Sequence, residues 1–199
     1  NKKSFYETIF IKIESEFDLN QIKNPKLWED FIKKVYKKDL ENLTTEEFND
    51  LIEINSKSYA EFSKISSIAW GIVKIDNDGK SNKIIQNVNG TTEKEKLNNF
   101  FKILNIFNEK KSHPIICGFD LLSFEIPFLI KRGLKNNLKI PNLITSNLTA
   151  KPWEYRIVDI NKLFKFTGSY YTNFNIIEDF LNIEDSNKIN CVDDDEFTY

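Results

Sequence analysis

Apolar and polar positions alternate along "TIFIKIESEF" (Thr8–Phe17), which is the pattern of a strand with one buried face. We predict the first strand over Phe5–Ile13. Lys12 and Glu14 then stand on one face at its end, because side chains two residues apart in a strand point the same way. Similar runs predict four more strands, at Ile65–Ile75, Lys83–Val88, His113–Phe119 and Arg156–Ile160.

Several segments carry apolar residues at spacings of three and four, which is the pattern of an amphipathic helix. They cover residues 24–38, 44–54, 91–107, 123–133 and 175–183. The first two lie between the first and second strands, so we expect a helical insertion at about 25–60. The element order β, αα, β, β, α, β, α, β, α predicts an α/β domain in which a hairpin is followed by alternating strands and helices.

Cap residues support three of these helices. Thr44 with Glu47, and Thr92 with Glu95, have the spacing of a capping box, in which each side chain accepts a hydrogen bond from the other residue's backbone N–H. Gly133 is expected to close the helix over 123–133, because glycine is the commonest residue just past a helix end.

The composition is ordinary for a globular chain, with 40% hydrophobic and 29% charged residues. The 199 residues lead us to expect a single domain. The net charge of −2 gives no overall basic footprint, although a local patch or bound metal ions can hold phosphates on a neutral protein. No stretch reaches the roughly 18 apolar residues of a membrane span. We therefore expect a cytoplasmic protein without membrane association, in which Cys117 and Cys191 are reduced rather than part of a disulfide framework.

Acidic residues stand at three predicted strand or helix ends: Glu14, Glu125 and Asp159. Carboxylates that converge from separate elements commonly hold Mg²⁺ or Mn²⁺. Two such ions roughly 3.5–4 Å apart activate a water for attack on a phosphodiester. Taken one at a time, each residue is more typical of a solvated surface acid.

Four stretches, taken in order, carry a family resemblance. They are "IFIKIES", "YAEFSKISSIAWGIV" with the hairpin after it, "IICGFDLLSFEIPFLIKRGLKNNLKIPNLI", and "KPWEYRIVDINKLFKF" with "NFNIIEDFLNI". The chain resembles the DEDD-type 3′–5′ exonucleases of the DnaQ-like superfamily, and among them the predicted exonucleases related to the proofreading domain of family-B DNA polymerases. The resemblance implies a ribonuclease H-like fold: a mixed five-stranded sheet flanked by helices, with the first strand in the centre.

Such enzymes use four acids on two metal ions to remove nucleotides from a 3′ end. The family's first Asp falls on Lys12, its partner Glu on Glu14, and the Asp of the second motif on Glu125. The resemblance thus implies catalytic Glu14 and Glu125, with Mg²⁺ or Mn²⁺ on these two and Asp194 if the protein is active, and no metal if it is not. Asp194 would be what is left of the last motif, Tyr-Cys-x-x-Asp. An equally good alignment places "VDDDEFTY" before that helix, which is then missing from the chain.

Two further acids are expected near the ligands without being ligands themselves. Asp159 matches an acid that is common in the family outside the four ligands, so it is expected to support them or to have a structural role. Asp120 and Leu121 stand where the family has Asn-Gly, so the flexible glycine of that loop is lost.

Lys12 is the main departure from the family pattern. A protonated lysine donates hydrogen bonds and accepts none, and two like charges about 4 Å apart repel by about 4 kcal/mol at an effective dielectric constant of 20. Our hypothesis is that the Lys12 ammonium takes the place of a metal ion and neutralises Glu14 and Glu125. The alternative is that Lys12 extends from the strand end into solvent.

Lys131, Arg132, Lys135 and Lys139 form a basic stretch that is suited to a phosphate backbone. The alternative is a solvated helix end, where cations are favoured anyway. The expected partner is a nucleic-acid 3′ end, DNA rather than RNA, and a protein partner is left open. The predicted function is a 3′–5′ exonuclease-like domain that acts on or binds nucleic acid, with weak or absent activity. The alternative is an inactive exonuclease fold that serves as a nucleic-acid- or protein-binding module.

Overall fold

A computed structural model of the chain describes residues 8–21, 23–35, 44, 46–47, 50, 53, 56–75, 79–111, 113–151, 154–166, 168 and 173–183. Its strands are β1 (Thr8–Phe17), β2 (Ser63–Ile75), β3 (Ser81–Asn87), β4 (Ile115–Gly118) and β5 (Ile157–Asp159). The helices of these residues are α1 (Pro25–Val35), α2 (Glu93–Lys110), α3 (Ile126–Lys135), α4 (Asn142–Thr145), α5 (Ile160–Lys165) and α6 (Phe174–Phe180).

The described strands form one mixed sheet in the order β3-β2-β1-β4-β5. β2 and β3 are an antiparallel hairpin, whereas β4 pairs in parallel with both β1 and β5. The α/β class, the five-stranded mixed sheet and the central first strand are therefore confirmed. Parallel strands end at the same edge of a sheet, and the register places Gly118 beside Asp159 at that edge.

The chain divides into two compact units. The core unit comprises Asn1–Ile13 and Ser67–Tyr199, and the insertion unit comprises Glu14–Ser66. The insertion unit contains α1, so its bounds include the predicted helical insertion.

Aromatic packing and a capping box organise the insertion unit. The Phe31 ring lies 5.3 Å from the rings of Tyr59 and Phe62, measured between centroids. The predicted capping box is present, since the backbone N–H of Glu47 donates to Thr44 Oγ1 at 3.2 Å and that of Thr44 donates to Glu47 Oε2 at 2.9 Å. Most of the remaining residues of the predicted helix over 44–54 lie outside the described residues.

The core unit is built around α2, which begins at its predicted capping box of Thr92 and Glu95. One face of this helix is buried, and its members recur at the spacing that the sequence predicted: Leu97, Phe100, Phe101, Leu104 and Phe107. In β4, the residues from Ile116 to Gly118 are buried as well, as expected for an apolar strand between two neighbours.

Gly133 does not close α3, which corrects the sequence prediction. The helix continues to Lys135, and the residue with a left-handed backbone after it is Asn137. A Cβ atom on Gly133 would lie 2.5 Å from Ile140 Cδ1, which is closer than real Cβ atoms approach, and 3.0 Å from the Phe101 ring, which is a tight contact. Gly133 therefore allows Ile140 and Phe101 to pack closely against α3, and a larger residue would require these side chains to shift.

Other differences from the sequence predictions lie at element ends and in short helices. β1 runs on to Phe17 instead of ending at Ile13, and residues 5–7 lie outside the described residues. The short helices α4 and α5 were not predicted. None of the described helices combines the length and the apolar character needed to cross a membrane.

Candidate functional site

The candidate site lies in the core unit, where β4 leads into α3. The connection is a π-helical turn over Leu121–Glu125 that continues directly into α3. Asp120 enters this turn with φ 55° and ψ 30°, a left-handed conformation that aspartate tolerates better than most residues. Turns of this type are rare and occur frequently at functional sites. The turn places Glu125 at its last position, directly before the first residue of α3.

The predicted ion pair between Lys12 and Glu125 is present. Lys12 Nζ on β1 lies 3.0 Å from Glu125 Oε1. The two partners are in different surroundings, because the Lys12 side chain is 58% exposed and the Glu125 side chain is 0% exposed. The lysine thus pairs with a buried carboxylate while most of its own side chain stays in contact with solvent. The predicted pairing of Lys12 with Glu14 stays a prediction.

The Glu125 carboxylate lacks good hydrogen bonds among the described residues. Although the ammonium is close, neither carboxylate oxygen accepts a well-directed hydrogen bond from the described residues. Burial raises the pKa of the Glu125 carboxyl to about 7, because the loss of hydration outweighs the favourable effects of the Lys12 charge and of the backbone N–H of Ile13. The negative charge of Asp120 raises the pKa further.

Asp159 is a structural anchor at this edge of the sheet. Its Oδ2 atom accepts a hydrogen bond from the backbone N–H of Leu122 in the π turn at 3.0 Å. Its Oδ1 atom accepts from the backbone N–H groups of Asn161 at 3.0 Å and Lys162 at 3.4 Å, so it is the N-cap of α5. Asp159 therefore fixes the π turn to the start of α5. Of the two roles considered for it, support of the ligands and a structural role, these contacts favour the structural one.

Asp120 is held by two side chains. Ser123 Oγ donates to Asp120 Oδ1 at 3.2 Å, and Asn161 Nδ2 donates to the same oxygen. Asn161 is buried, and its Oδ1 atom has no hydrogen-bond partner among the described residues. Asn161 was not among the residues predicted from the sequence. The start of α5 was indicated by an aspartate directly after the apolar run Ile157–Val158, which is typical of an N-cap.

The other two predicted ligands are Glu14 and Asp194. Glu14 is exposed on β1 and belongs to the insertion unit, and Asp194 lies outside the described residues. Within the part of the chain that the structure describes, no three His, Cys, Asp or Glu side chains come together as a metal-ion site. The Lys12 ammonium lies 3.0 Å from Glu125 Oε1, so a divalent cation at that oxygen would meet a like charge.

Arg132 is placed differently from the expectation that it would contact a phosphate backbone. It is buried, and its guanidinium donates to Glu93 through Nε to Oε1 at 2.7 Å and through Nη2 to Oε2 at 2.6 Å. This corrects the prediction for Arg132, since a guanidinium engaged inside the protein does not present itself to phosphates. Lys131 and Lys135 are exposed on α3, and their predicted role stays a prediction.

Cys117 on β4 lies in surroundings that disfavour its reactive form. It is a free, buried cysteine, and burial raises the pKa of its thiol to about 11, with a further increase from the charge of Asp159. The thiolate, which is the reactive form, is therefore disfavoured at neutral pH. Cys191 lies outside the described residues.

Comparison of the sequence with protein-family models and with curated proteins found no match. The resemblance to DEDD-type exonucleases therefore rests on the motifs named above.

Proposed function

We propose that this chain is a cytoplasmic, ribonuclease H-like exonuclease domain that binds nucleic acid, in particular the 3′ end of DNA, without metal-dependent hydrolysis. The observation that carries the proposal is the contact of 3.0 Å between Lys12 Nζ and Glu125 Oε1. The motif order supports the fold family, and this contact supports the loss of hydrolysis.

The chemistry of the contact explains why hydrolysis is lost. Two-metal hydrolysis needs carboxylates that hold cations on both sides of the scissile phosphate. Lys12 supplies a positive charge to Glu125 but has no lone pair while it is protonated, so it cannot act as a ligand. It also repels any metal ion that approaches the same oxygen. A strand can still bind, because binding needs cations for its phosphates and no catalytic metal.

A nuclease assay tests the first part of the proposal. The full chain is incubated with 5′-labelled single-stranded DNA and RNA in Mg²⁺ or Mn²⁺, beside Lys12→Asp/Glu125→Asp, which restores the family's acids at these positions. We expect no shortening by the unmodified protein, and binding of Mn²⁺ in calorimetry only by the double variant. Shortening from the 3′ end by the unmodified protein that Glu14→Ala abolishes would overturn the proposal.

The local charge distribution supports the nucleic-acid part of the proposal. Residues 131–156 contain six lysines and arginines and one acid, although the whole chain has a net charge of −2. Arg132 is neutralised by Glu93, but Lys131, Lys135 and Lys139 are exposed. Lys131 and Lys135 are four residues apart on α3, so their side chains are neighbours on one helix face. This face is suited to successive phosphates of one strand.

A charge reversal with a matched control tests this surface. We expect Lys131→Glu/Lys135→Glu to weaken binding of a labelled single-stranded oligonucleotide at least about tenfold and to reduce the salt dependence of the binding constant by about one unit per lysine. Lys94→Glu/Lys102→Glu is the control, because these lysines are also exposed on a helix, but α2 interleaves its cations with Glu93, Glu95 and Glu109. Equal losses in both double variants, measured by fluorescence anisotropy, would contradict a specific surface.

A further inference from the structure

Phe166, directly after α5, is the most exposed large apolar residue of the described chain, since 89% of its surface is accessible to solvent. Single apolar residues at a protein surface are common and by themselves indicate nothing. Phe166 differs from them in its backbone, because its φ of 52° and ψ of −113° lie in a region that residues other than glycine rarely occupy. The exposed ring is thus combined with an unfavourable backbone conformation.

A tight turn holds Phe166 in this conformation. The backbone N–H of Gly168 donates to the carbonyl oxygen of Lys165 at 2.8 Å, which closes a turn with Phe166 at its second position. The φ and ψ angles of Phe166 are those of the second position of a type II′ turn, where glycine, asparagine and aspartate predominate. Glycine adopts this conformation without steric strain, whereas phenylalanine does not. Strained residues of this kind are concentrated at ligand-binding sites.

The sequence around Phe166 is basic. Residues 160–177 contain two lysines, Lys162 and Lys165, and no acid, although the whole chain has a net charge of −2. Lys162 is exposed, and its carbonyl oxygen accepts a hydrogen bond from the backbone N–H of Phe166 at 3.1 Å, so the backbones of the two residues are adjacent. Proteins bind single-stranded nucleic acids with exposed aromatic rings next to cations, because a base stacks on the ring and the cation pairs with a phosphate.

We propose that Phe166 is a stacking platform for one base of a single-stranded nucleic acid, and that Lys162 binds a phosphate next to that base. This inference rests on the proposed function, to which it adds a subsite. The turn holds the backbone of Phe166 in place before the strand arrives, so less conformational freedom is lost on binding. The lack of acids over residues 160–177 favours an anionic strand over a protein partner, because acids near the ring would repel phosphates.

Fluorescence anisotropy of a 5′-labelled oligothymidylate bound by the full chain tests the stacking. We expect Phe166→Gly to raise the dissociation constant at least about fivefold, and Phe166→Trp to keep it within about twofold, because tryptophan also offers a ring for stacking. Phe180→Ala is the matched control, since Phe180 is 70% exposed on α6 but directly follows Glu178 and Asp179. We expect this control to change the dissociation constant by less than about twofold, because the two acids repel a phosphate backbone.

A strand of the same length that carries abasic sites separates stacking from other effects of the ring. On this strand, Phe166→Gly should have no effect. Lys162→Ala should weaken binding of both strands and reduce the salt dependence of the binding constant by about 0.7. The melting temperature of Phe166→Gly should rise by about 2–4 °C, because glycine relieves the strain of the turn, so the weaker binding of this variant does not reflect unfolding.

Several results would overturn the platform. A dissociation constant that Phe166→Gly leaves unchanged, or an equal loss on the abasic strand, would refute it while the proposed function stands. A lower melting temperature of Phe166→Gly would refute it as well, since the ring would then stabilise the protein by packing. If the unmodified protein bound neither strand, both the platform and the proposed function would be wrong.

Discussion

Two carboxylates in the core unit are each held by a cation, and the two pairs differ in which partner is shielded from water. In the pair of Arg132 and Glu93, both side chains are shielded, with exposed fractions of 2% and 11%. Two parallel hydrogen bonds join them, and Asn136 Nδ2 adds a third donor to Glu93 Oε2 at 3.0 Å. In the pair of Lys12 and Glu125, the acid is fully buried while the cation is mostly exposed.

The chemistry of the cations explains this difference. The planar arginine fork matches a carboxylate at two points and fixes its orientation. The lysine ammonium is a single charge on a flexible stem, and it leaves Glu125 without a well-directed hydrogen bond from the described residues. Buried acids that lack such bonds and have shifted pKa values are concentrated at functional sites. We therefore assign Arg132 and Glu93 to the scaffold, and Lys12 and Glu125 to the candidate site.

The largest effect is expected from breaking the arginine pair. Glu93→Ala leaves the buried guanidinium of Arg132 without an opposing charge, and the loss of one partner of a buried pair costs about 3–5 kcal/mol. We expect the free energy of unfolding, measured by urea denaturation at pH 7, to fall by this amount.

The matched control for this variant is Glu109→Ala, at the other end of the same helix. Glu109 is exposed, so its removal is expected to change the free energy of unfolding by less than about 0.5 kcal/mol. A similar small change for Glu93→Ala would show that the arginine pair does not stabilise the scaffold.

The next largest effect concerns the pH dependence of stability. The pKa of Glu125 is raised from 4.5 to about 7 by burial, so the folded protein binds the carboxyl proton more tightly than the unfolded chain. The resulting stabilisation is complete below pH 4.5 and is lost as the pH rises to about 7. A shift of this size corresponds to about 3 kcal/mol.

Glu125→Gln isolates this effect, because glutamine has a similar shape and does not titrate. We expect the difference in unfolding free energy between the unmodified protein and Glu125→Gln to change by about 3 kcal/mol between pH 4.5 and pH 7, and to be constant above pH 8. Parallel stability curves for the two proteins over this range would mean that Glu125 is ionised in the fold as readily as in water.

Local patterns account for most of the fold that could be predicted. The strands and α2 were predicted because their periodicity extends over several residues and because the cap of α2 lies next to it in the sequence. The helices α4 and α5 have four and six residues, too few for a helical period to be recognised. The π turn has no periodic signature of its own and depends on how β4 meets α3.

The site could be predicted only where the family resemblance supplied long-range information. The proximity of Lys12 and Glu125 was predicted from the alignment of the motifs and not from hydrophobic periodicity. The pairs of Arg132 with Glu93 and of Asp120 with Asn161 span 39 and 41 residues, and no local pattern connects them. The burial of Arg132 could nevertheless have been predicted from the sequence. Arg132 follows Phe128 by four residues and so lies on the apolar face of α3.

The smallest effect on the free energy of unfolding is expected from removing the charge of Lys12, the exposed partner in the pair with Glu125. Lys12→Met keeps the length of the side chain and removes its charge, so that ionised Glu125 loses the main favourable interaction that opposes its desolvation. At pH 8 we expect a loss of about 1 kcal/mol, less than for a shielded pair because Lys12 is mostly in water. At pH 4.5 the loss should vanish, because Glu125 is then protonated.

The Glu125→Gln variant is the control, because the same Lys12→Met substitution should have no effect in it at either pH. An equal effect at both pH values would show that Lys12 stabilises the protein through its packing and not through its charge on Glu125.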